Sequence, residues 1–331
     1  MSVISAGQKV ATGGIDDDGE RSTSSRLWIL GAIVAGAAVL AGFYGINAYS
    51  AGTNAAVAQS TDDAKDFETV FRDLLKQRSQ VMSMAAEVLL QDTTTMEAFA
   101  RQDRPTLVAR MEPFFEQLKK RHNVEQLNFW LPPATIYYRA GQPNDFGADV
   151  SKYRRTVVAA NERREPVIAI ETGIGGRVDI RAIMPIVVDG KFVGSLEFAS
   201  NLDVPLERAS VTAEVKWAVG VSREVSERVD RTADSRSDVW QKDVVFFLFS
   251  DPQTAQLLRS VSFDPNAQGY TLANDRHHHT LFVRTFPVID FGGTPSIIVA
   301  IVDDLTNDFA DVLQGPCPPC PDRPLPQNGL R

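Results

Sequence analysis

Cysteine is almost missing from this chain. Both cysteines, Cys317 and Cys320, sit in a proline-rich C-terminal stretch, so the preceding residues offer neither a disulfide framework nor thiol chemistry. A basic surplus is missing too. Lys and Arg number 34 against 42 Asp and Glu, a net charge of −8, and no basic, aromatic-rich patch offsets it. That balance argues against a nucleic-acid partner. Histidine is scarce, with His277, His278 and His279 consecutive among a total of 4. On a strand His277 and His279 share a face while His278 points away. Only Asp275 is near in sequence, so no metal site is expected there. The spacings G-x-S-x-G, P-loop and H-E-x-x-H are absent. The glycines of ETGIGGR read as a turn, because no helix opens after them. Neither an enzyme nor a cofactor is expected. Cys317-Pro-Pro-Cys320 has the spacing of a redox motif, but prolines flank it and leave no helix N-terminus to activate a thiol. A tail disulfide or a covalent dimer link suits that motif better than redox catalysis.

Long hydrophobic runs are also few. One exists, Leu27 to Ala48, LWILGAIVAGAAVLAGFYGINA, without a charge. About 20 apolar residues cross a hydrocarbon core, so its length fits a transmembrane helix. Trp28 lies near one end, and Tyr44 and Tyr49 near the other, as an aromatic belt requires. Gly31, Ala35, Gly36, Ala37 and Gly42 suit close helix approach, and are also common in any spanning helix. Lys9, Arg21 and Arg26 precede the run, whereas Asp62 and Asp63 come before the first following Lys, Lys65. The positive-inside rule then puts residues 1–26 in the cytoplasm and the remainder in the periplasm. A cleaved signal peptide is the competing reading, with Ala56-Val57-Ala58 as an A-x-A site. The run exceeds the usual apolar core of about 7–15 residues, which favours an uncleaved anchor in a bacterial inner membrane. Ser296 to Ile301 is apolar but too short to span, and no second span is expected.

The remainder reads as an α+β protein. Residues 1–26 have no apolar periodicity and read as a disordered tail. The transmembrane helix takes 27–48, and a stalk helix takes 49–91. Phe67, Phe71, Leu74, Arg78, Val81, Ala85 and Val88 recur in steps of four and three along that stalk. Val70, Leu75, Met82 and Leu89 widen the stripe, which suits packing on its own domain, a dimer seam, or both. Pro105 to His122 predicts a helix that Pro113 kinks or splits. Strands are expected at Glu125–Leu131, Thr135–Ala140, Val167–Thr172, Val178–Val188 and Lys191–Ser200, with a helix over Asp149–Arg164. Asp189-Gly190 marks a hairpin turn. After Asp203 a shorter version of the pattern returns, with strands at Val215–Val221, Val244–Phe249, Tyr270–Ala273, His279–Pro287 and Ser296–Val302, and a helix at Pro252–Arg259. The segments IRAIMPIVVDGKFVGSLEFASNLD and LFVRTFPVIDFGGTPSIIVAIVDDL end alike, Pro287 matching Pro185 and Asp304 matching Asp203. Two tandem PAS-like antiparallel-sheet modules are the expectation, a membrane-distal one over 92–205 and a membrane-proximal one over 206–306. Residues 307–331 form a Pro-rich, Cys-containing tail.

Charges punctuate the middle of the chain. Arg139, Asp149, Arg154, Glu171 and Arg181 interrupt runs that otherwise alternate as a half-buried sheet. Charges so embedded need partners, either each other or a ligand. The arginines can present forked donors to a carboxylate or other anion. Asp149 and Glu171 can orient them or accept from an amine. A salt-bridge network that only locks the fold is the alternative. Tyr137 and Tyr138 alternate across a strand, so only one can share a face with that site.

The block IYYRAGQPNDFGADVSKYRRTVVAANERREPVIAIETGIGGRVDIRAIMPIVVDGKFVGSLEF resembles the double Cache sensor domains of bacterial histidine kinases and chemoreceptors. The nearest subgroup carries R-x-H-x-P, G-D-D, F-R, I-E-x-G, I-R-x-x-x-P and G-S-x-E-F in that order. The resemblance covers roughly Asp66 to Thr306. Arg139 and Pro143 match R-x-H-x-P, Gly147 and Asp149 match G-D-D, and Tyr153-Arg154 stands where the family has F-R. Glu171 and Gly173 match I-E-x-G, and Arg181 and Pro185 match I-R-x-x-x-P. Gly141 replaces the family His, and Ala148 replaces the first Asp of G-D-D. The resemblance implies a membrane-anchored sensor whose distal module binds a small molecule through Arg139, Asp149, Arg154, Glu171 and Arg181; Tyr137 joins the candidates from the strand alternation alone, with plain core as its alternative. Such domains usually feed a cytoplasmic kinase, cyclase or chemotaxis module, and no such module is expected on this chain. The implied partners are a second copy of the chain and a separate kinase, chemoreceptor or transport component. A non-signalling periplasmic binding or scaffold protein and a truncated receptor are the alternatives.

Overall fold

The computed structural model describes residues 18–309 except 233, 235 and 276–278, with side chains from residue 28 onward. Of the disordered tail expected over 1–26, residues 1–17 lie outside the described residues, as do His277, His278 and the Cys317–Cys320 motif, whereas 18–26 are helical. The chain divides into two units, Met1–Asn54 with Phe309–Arg331, and Ala55–Asp308.

In the first unit the apolar run is helical, within α1 (Asp18–Leu90). It is the one described helix long and apolar enough to cross a membrane. Leu30, Ile33, Val34, Val39, Leu40 and Phe43 all turn outward, with exposures from 58% to 71%. Apolar side chains on every side suit a hydrocarbon solvent.

The second unit is mixed α and β. After the C-terminal half of α1 come α2 (Thr93–Ala100), α3 (Arg104–His122), β1 (Gln126–Leu131), β2 (Thr135–Arg139), α4 (Arg155–Arg163), β3 (Val167–Thr172), β4 (Val178–Val188) and β5 (Lys191–Asn201). They build an antiparallel sheet in the order β2-β1-β5-β4-β3. Then follow α5 (Asp203–Ala213), β6 (Lys216–Ser222), α6 (Arg223–Arg228), β7 (Val239–Gln241), β8 (Val244–Phe249), α7 (Pro252–Ser260), β9 (Tyr270–Asn274), β10 (Thr280–Val288) and β11 (Ile297–Asp304). Their sheet runs β7-β8-β6-β11-β10-β9. With β7 set aside, the two strand orders are the same, so the repeat read from the sequence is a repeat of topology. Pro185 and Pro287 each fall late in the equivalent strand, β4 and β10.

Several elements differ from their expected form. Pro113 lies inside an unbroken α3. The lost hydrogen bond is offset at both ends, where Asp103 caps Thr106 N and Asn123 adopts a left-handed C-cap, and by burial of Leu107, Met111 and Phe115. The helix expected over Asp149–Arg164 begins only at Arg155. Val150 N donates to Ala134 O and Thr135 bridges Asp149, which holds that segment extended along β2. The short helices α2, α5 and α6 lack the long apolar period that reveals a helix in sequence.

The stalk stripe is also redrawn. The buried face of α1 is Ala64, Phe67, Phe71, Leu75, Met82, Ala86 and Leu89. Val81 and Val88 are not part of it. A helix docked along a sheet follows a period of 3.6, which drifts from a strict heptad. Phe67 and Phe71 stack at 6.1 Å and both meet Phe286 of β10, at 6.3 and 6.0 Å. Glu68 pairs with Arg284 at 3.0 Å, and Ser60 donates to Asp303 at 2.6 Å. Removing Phe71 opens a cavity under the helix. Phe71→Ala is expected to cost about 3–5 kcal/mol of unfolding free energy, measured by denaturant titration; a loss below about 1 kcal/mol would show that α1 does not depend on this contact.

Candidate functional site

The first sheet carries its charges on the face toward α4. Arg181 of β4 has no exposure at all. Its Nη1 meets Glu197 of β5 at 2.5 Å, its Nη2 meets Asp179 at 2.7 Å, and its Nε lies 3.4 Å from Glu171 of β3. Alternation along each strand puts Asp179 and Arg181 on one face, and antiparallel pairing brings Glu171 and Glu197 beside them. Further donors complete the carboxylates. Asn128 Nδ2 and the Trp130 indole N–H each reach Glu197 at 2.9 Å. Gln126 Nε2 and Arg177 Nε reach Asp179 at 3.1 and 2.8 Å. Glu171 accepts the backbone N–H of Thr156 at 3.0 Å and its hydroxyl at 2.8 Å. It therefore caps the N-terminus of α4, where a negative charge is favoured.

Arg154 stands differently. It precedes α4 and is 8% exposed. Its Nη2 makes one long bond, to Gln126 Oε1 at 3.5 Å, and its buried Nη1 has no hydrogen-bond partner among the described residues. Burial, and then the charge of Arg181, bring its pKa down to about 10, against the pull of Glu197, Glu171 and Asp179. The neighbouring loop residue is Gly173, where an added Cβ would lie 3.1 Å from both Arg154 Nη1 and Arg181 Nη2. Two guanidiniums thus face a position kept clear of a side chain.

Of the residues singled out from sequence, Arg154, Glu171 and Arg181 come together here. Tyr137, Arg139 and Asp149 do not join them. Tyr137 packs on Phe99 of α2 with centroids 5.2 Å apart, and Tyr138 donates to Glu112 of α3 at 2.6 Å. Arg139, the last residue of β2, pairs with Asp145 near solvent. Asp149 is exposed and accepts from Ser151 N at 2.9 Å. Glu197, Asp179, Asn128 and Trp130 were not singled out. Glu197 carries the same signal as Glu171, a carboxylate embedded in the apolar run GSLEFAS.

The segment before α4 also touches the second sheet's loops. Tyr153 and Lys152 both bond Asp230, the lysine at 3.2 Å. Arg155 pairs at 3.0 Å with the buried Asp290, which Arg228 also reaches at 3.2 Å. In the loop after β3, Gly175 N donates to Val229 O at 3.1 Å, and Phe291 N donates to Ile170 O at 2.8 Å.

The pKa of Glu197 tests the cluster. Burial raises it, but Arg181, Arg154 and the Asn128 bond outweigh burial and bring it from 4.5 down to about 2. A depressed carboxyl pKa stabilises the fold above the unfolded value and loses that contribution as pH falls toward 2. Glu197→Gln is expected to cost about 3–5 kcal/mol at pH 7. The gap to the parent should narrow between pH 4.5 and 2 in denaturant unfolding; a gap independent of pH would show that Glu197 is not held ionised.

Comparison with known proteins follows from this geometry. The model of a family described as the double sensory domain of two-component sensor kinase matches residues 58–242. No curated protein matches the chain. Among solved structures, the sensor domain of the V. cholerae histidine kinase DctB is similar over 76% of this chain and 98% of its own, at 11% identity and a TM-score of 0.49. The ligand-binding domain of the Campylobacter jejuni chemoreceptor Tlp3, solved in complex with L-valine, is similar over 80% of this chain and 98% of its own, at 9% identity and a TM-score of 0.45. The periplasmic domain of Vibrio cholerae LuxQ is similar over 72% and 98%, at 9% identity and a TM-score of 0.42.

Proposed function

The chain belongs to the double Cache family, the double sensory domain of two-component sensor kinases, and we propose from this premise that it is a membrane-anchored sensor whose first sheet takes a small molecule at Arg154. The observation that carries the reading is the unpartnered, buried Nη1 of Arg154 beside Gly173. A buried guanidinium nitrogen without an acceptor is costly, and a ligand carboxylate or other acceptor removes that cost. Glu171 and Arg181 belong to the same site as its positioning residues, while Tyr137, Arg139 and Asp149 take no direct part. The role is sensory, supported by the match to a family described as a double sensory domain. The N-terminus is cytoplasmic and the sensor periplasmic, supported by Lys9, Arg21 and Arg26 ahead of the apolar run and Asp62 and Asp63 behind it.

Coupling follows from the flanks of Arg154. A ligand that draws Arg154 moves Lys152, Tyr153 and Arg155, whose partners Asp230 and Asp290 belong to the second sheet's loops. It shifts the equilibrium only by its differential affinity for the two arrangements. The output passes to a partner, a kinase, chemoreceptor or transport component. A non-signalling binding protein remains the rival reading, and loss of ligand-dependent partner capture in Arg155→Ala would favour the sensor.

The test is thermal unfolding of the full chain in detergent against carboxylates, amines and nucleobases. A binder raises the midpoint by mass action. Arg154→Ala and Gly173→Ala are each expected to weaken a hit at least about tenfold, the loss of one charge-assisted bond, while Arg139→Ala responds as the parent. A hit that shifts Arg154→Ala and the parent alike would place the ligand elsewhere.

A second copy is the other proposed partner. Val81, Met84 and Val88 are 48%, 59% and 68% exposed on α1, at steps of three and four, away from the buried face. Such a stripe is self-complementary about a two-fold axis. Met84→Glu with Val88→Glu is expected to halve the mass measured by light scattering; an unchanged dimer mass would exclude this seam.

A further inference from the structure

A second polar hollow lies apart from the Arg181 cluster. It encloses about 230 Å³ and is walled by Gln77 and Arg78 of α1, Arg121 and His122 at the end of α3, and Arg208 of α5. Arg78 spends part of its guanidinium on structure. Its Nη2 donates to the carbonyls of His122 and Asn123, the latter at 2.6 Å, and its Nε donates to Ser200 Oγ at 3.1 Å. Its Nη1 makes no hydrogen bond among the described residues. Neither Arg121 nor Arg208 forms an ion pair among the described residues. Burial lowers the pKa of Arg78, and the charge of Arg208 lowers it further; Glu125 opposes both without restoring it.

Three guanidiniums from three elements thus line one hollow without a carboxylate partner, in a chain whose net charge is −8. The C-terminal carbonyls of α3 account for Arg121 and His122, since cations are favoured at that end of a helix. They do not account for Arg208, which comes from a different helix and acts against Arg78. Like charges gathered without an ion-paired carboxylate, with Glu125 only partly opposing them, mark a site that gains from an anion.

We propose that this hollow binds a small free oxyanion of the phosphate class, held by Arg78 Nη1, Arg121 and Arg208. α5 is the connection from β5 of the first sheet to β6 of the second, and Arg78 belongs to α1. An oxyanion there ties α1 to the connection between the sheets and is a second input, separate from the Arg154 site.

Thermal unfolding of the full chain in detergent, with inorganic phosphate titrated against chloride at equal ionic strength, tests this. Phosphate should raise the midpoint saturably. Arg121→Gln and Arg208→Gln should each weaken the apparent Kd about tenfold, as expected for one charge-assisted bond. Arg154→Ala should keep the parent response, as should Arg101→Gln, whose side chain pairs with Glu97 at 3.2 Å on another surface. Equal midpoints in phosphate and chloride would overturn the proposal. So would a parent-like response in both Arg121→Gln and Arg208→Gln, or a response lost only in Arg154→Ala.

Discussion

The burial of Arg181 is the constraint on which the first sheet depends. A guanidinium with no exposure demands acceptors on its edges, and it finds them on its own strand and on both neighbours, at Asp179, Glu197 and Glu171. A slip of one residue in β3 or β5 would turn Glu171 or Glu197 to the other face and leave Arg181 charged and alone. The ion pairs therefore specify register more than they add stability, because desolvation offsets most of their attraction. Glu171 extends the same constraint to α4 by capping its first turn through Thr156. The position of Arg154 follows, since it is the residue from which α4 starts.

That chain of dependence gives Arg181 hydrogen bonds at both Nη atoms and leaves its Nε and the Arg154 Nη1 without one among the described residues. The three buried carboxylates are directed at Arg181, with Arg177 as a second partner for Asp179. Arg154 feels them only at longer range, and burial together with Arg181 outweighs them. Gly173 lies beside both arginines, and a Cβ there would press on both guanidiniums. Nη1 of Arg154 is thus a buried donor that this network leaves without an acceptor among the described residues.

Much of the architecture was legible because it rests on local chemistry. Asp189-Gly190 closes the β4–β5 hairpin, with both residues at positive φ, and the repeated strand, proline, hairpin pattern became a repeated strand order. Glu171 and Arg181 were legible as charges inside apolar alternation. Arg139 is the last residue of β2, and Asp149 lies before α4 and bridges Thr135 at the start of β2; solvent reaches both, so a nearby Asp145 and Ser151 satisfy them. Periodicity does not report depth along a strand, and that is why three of the six expected site residues lie outside the cluster. Nor does it report which of two apolar stripes on α1 meets the sheets. Phe71 and Met82 are buried while Val81 and Val88 are exposed, a distinction made by what packs on the helix, as Phe286 does on Phe71.

The two faces of α1 also decide how a change in the first sheet can be read. Arg78 bonds Ser200 of β5, whereas Phe67, Glu68 and Ser60 bind β10 and β11 through Phe286, Arg284 and Asp303. Both sheets are therefore referred to one helix. Their other contacts, Asp230 and Asp290 with Lys152, Tyr153 and Arg155, sit beside Arg154. α1, which touches both sheets, is also the helix that contains the apolar run Leu27 to Ala48.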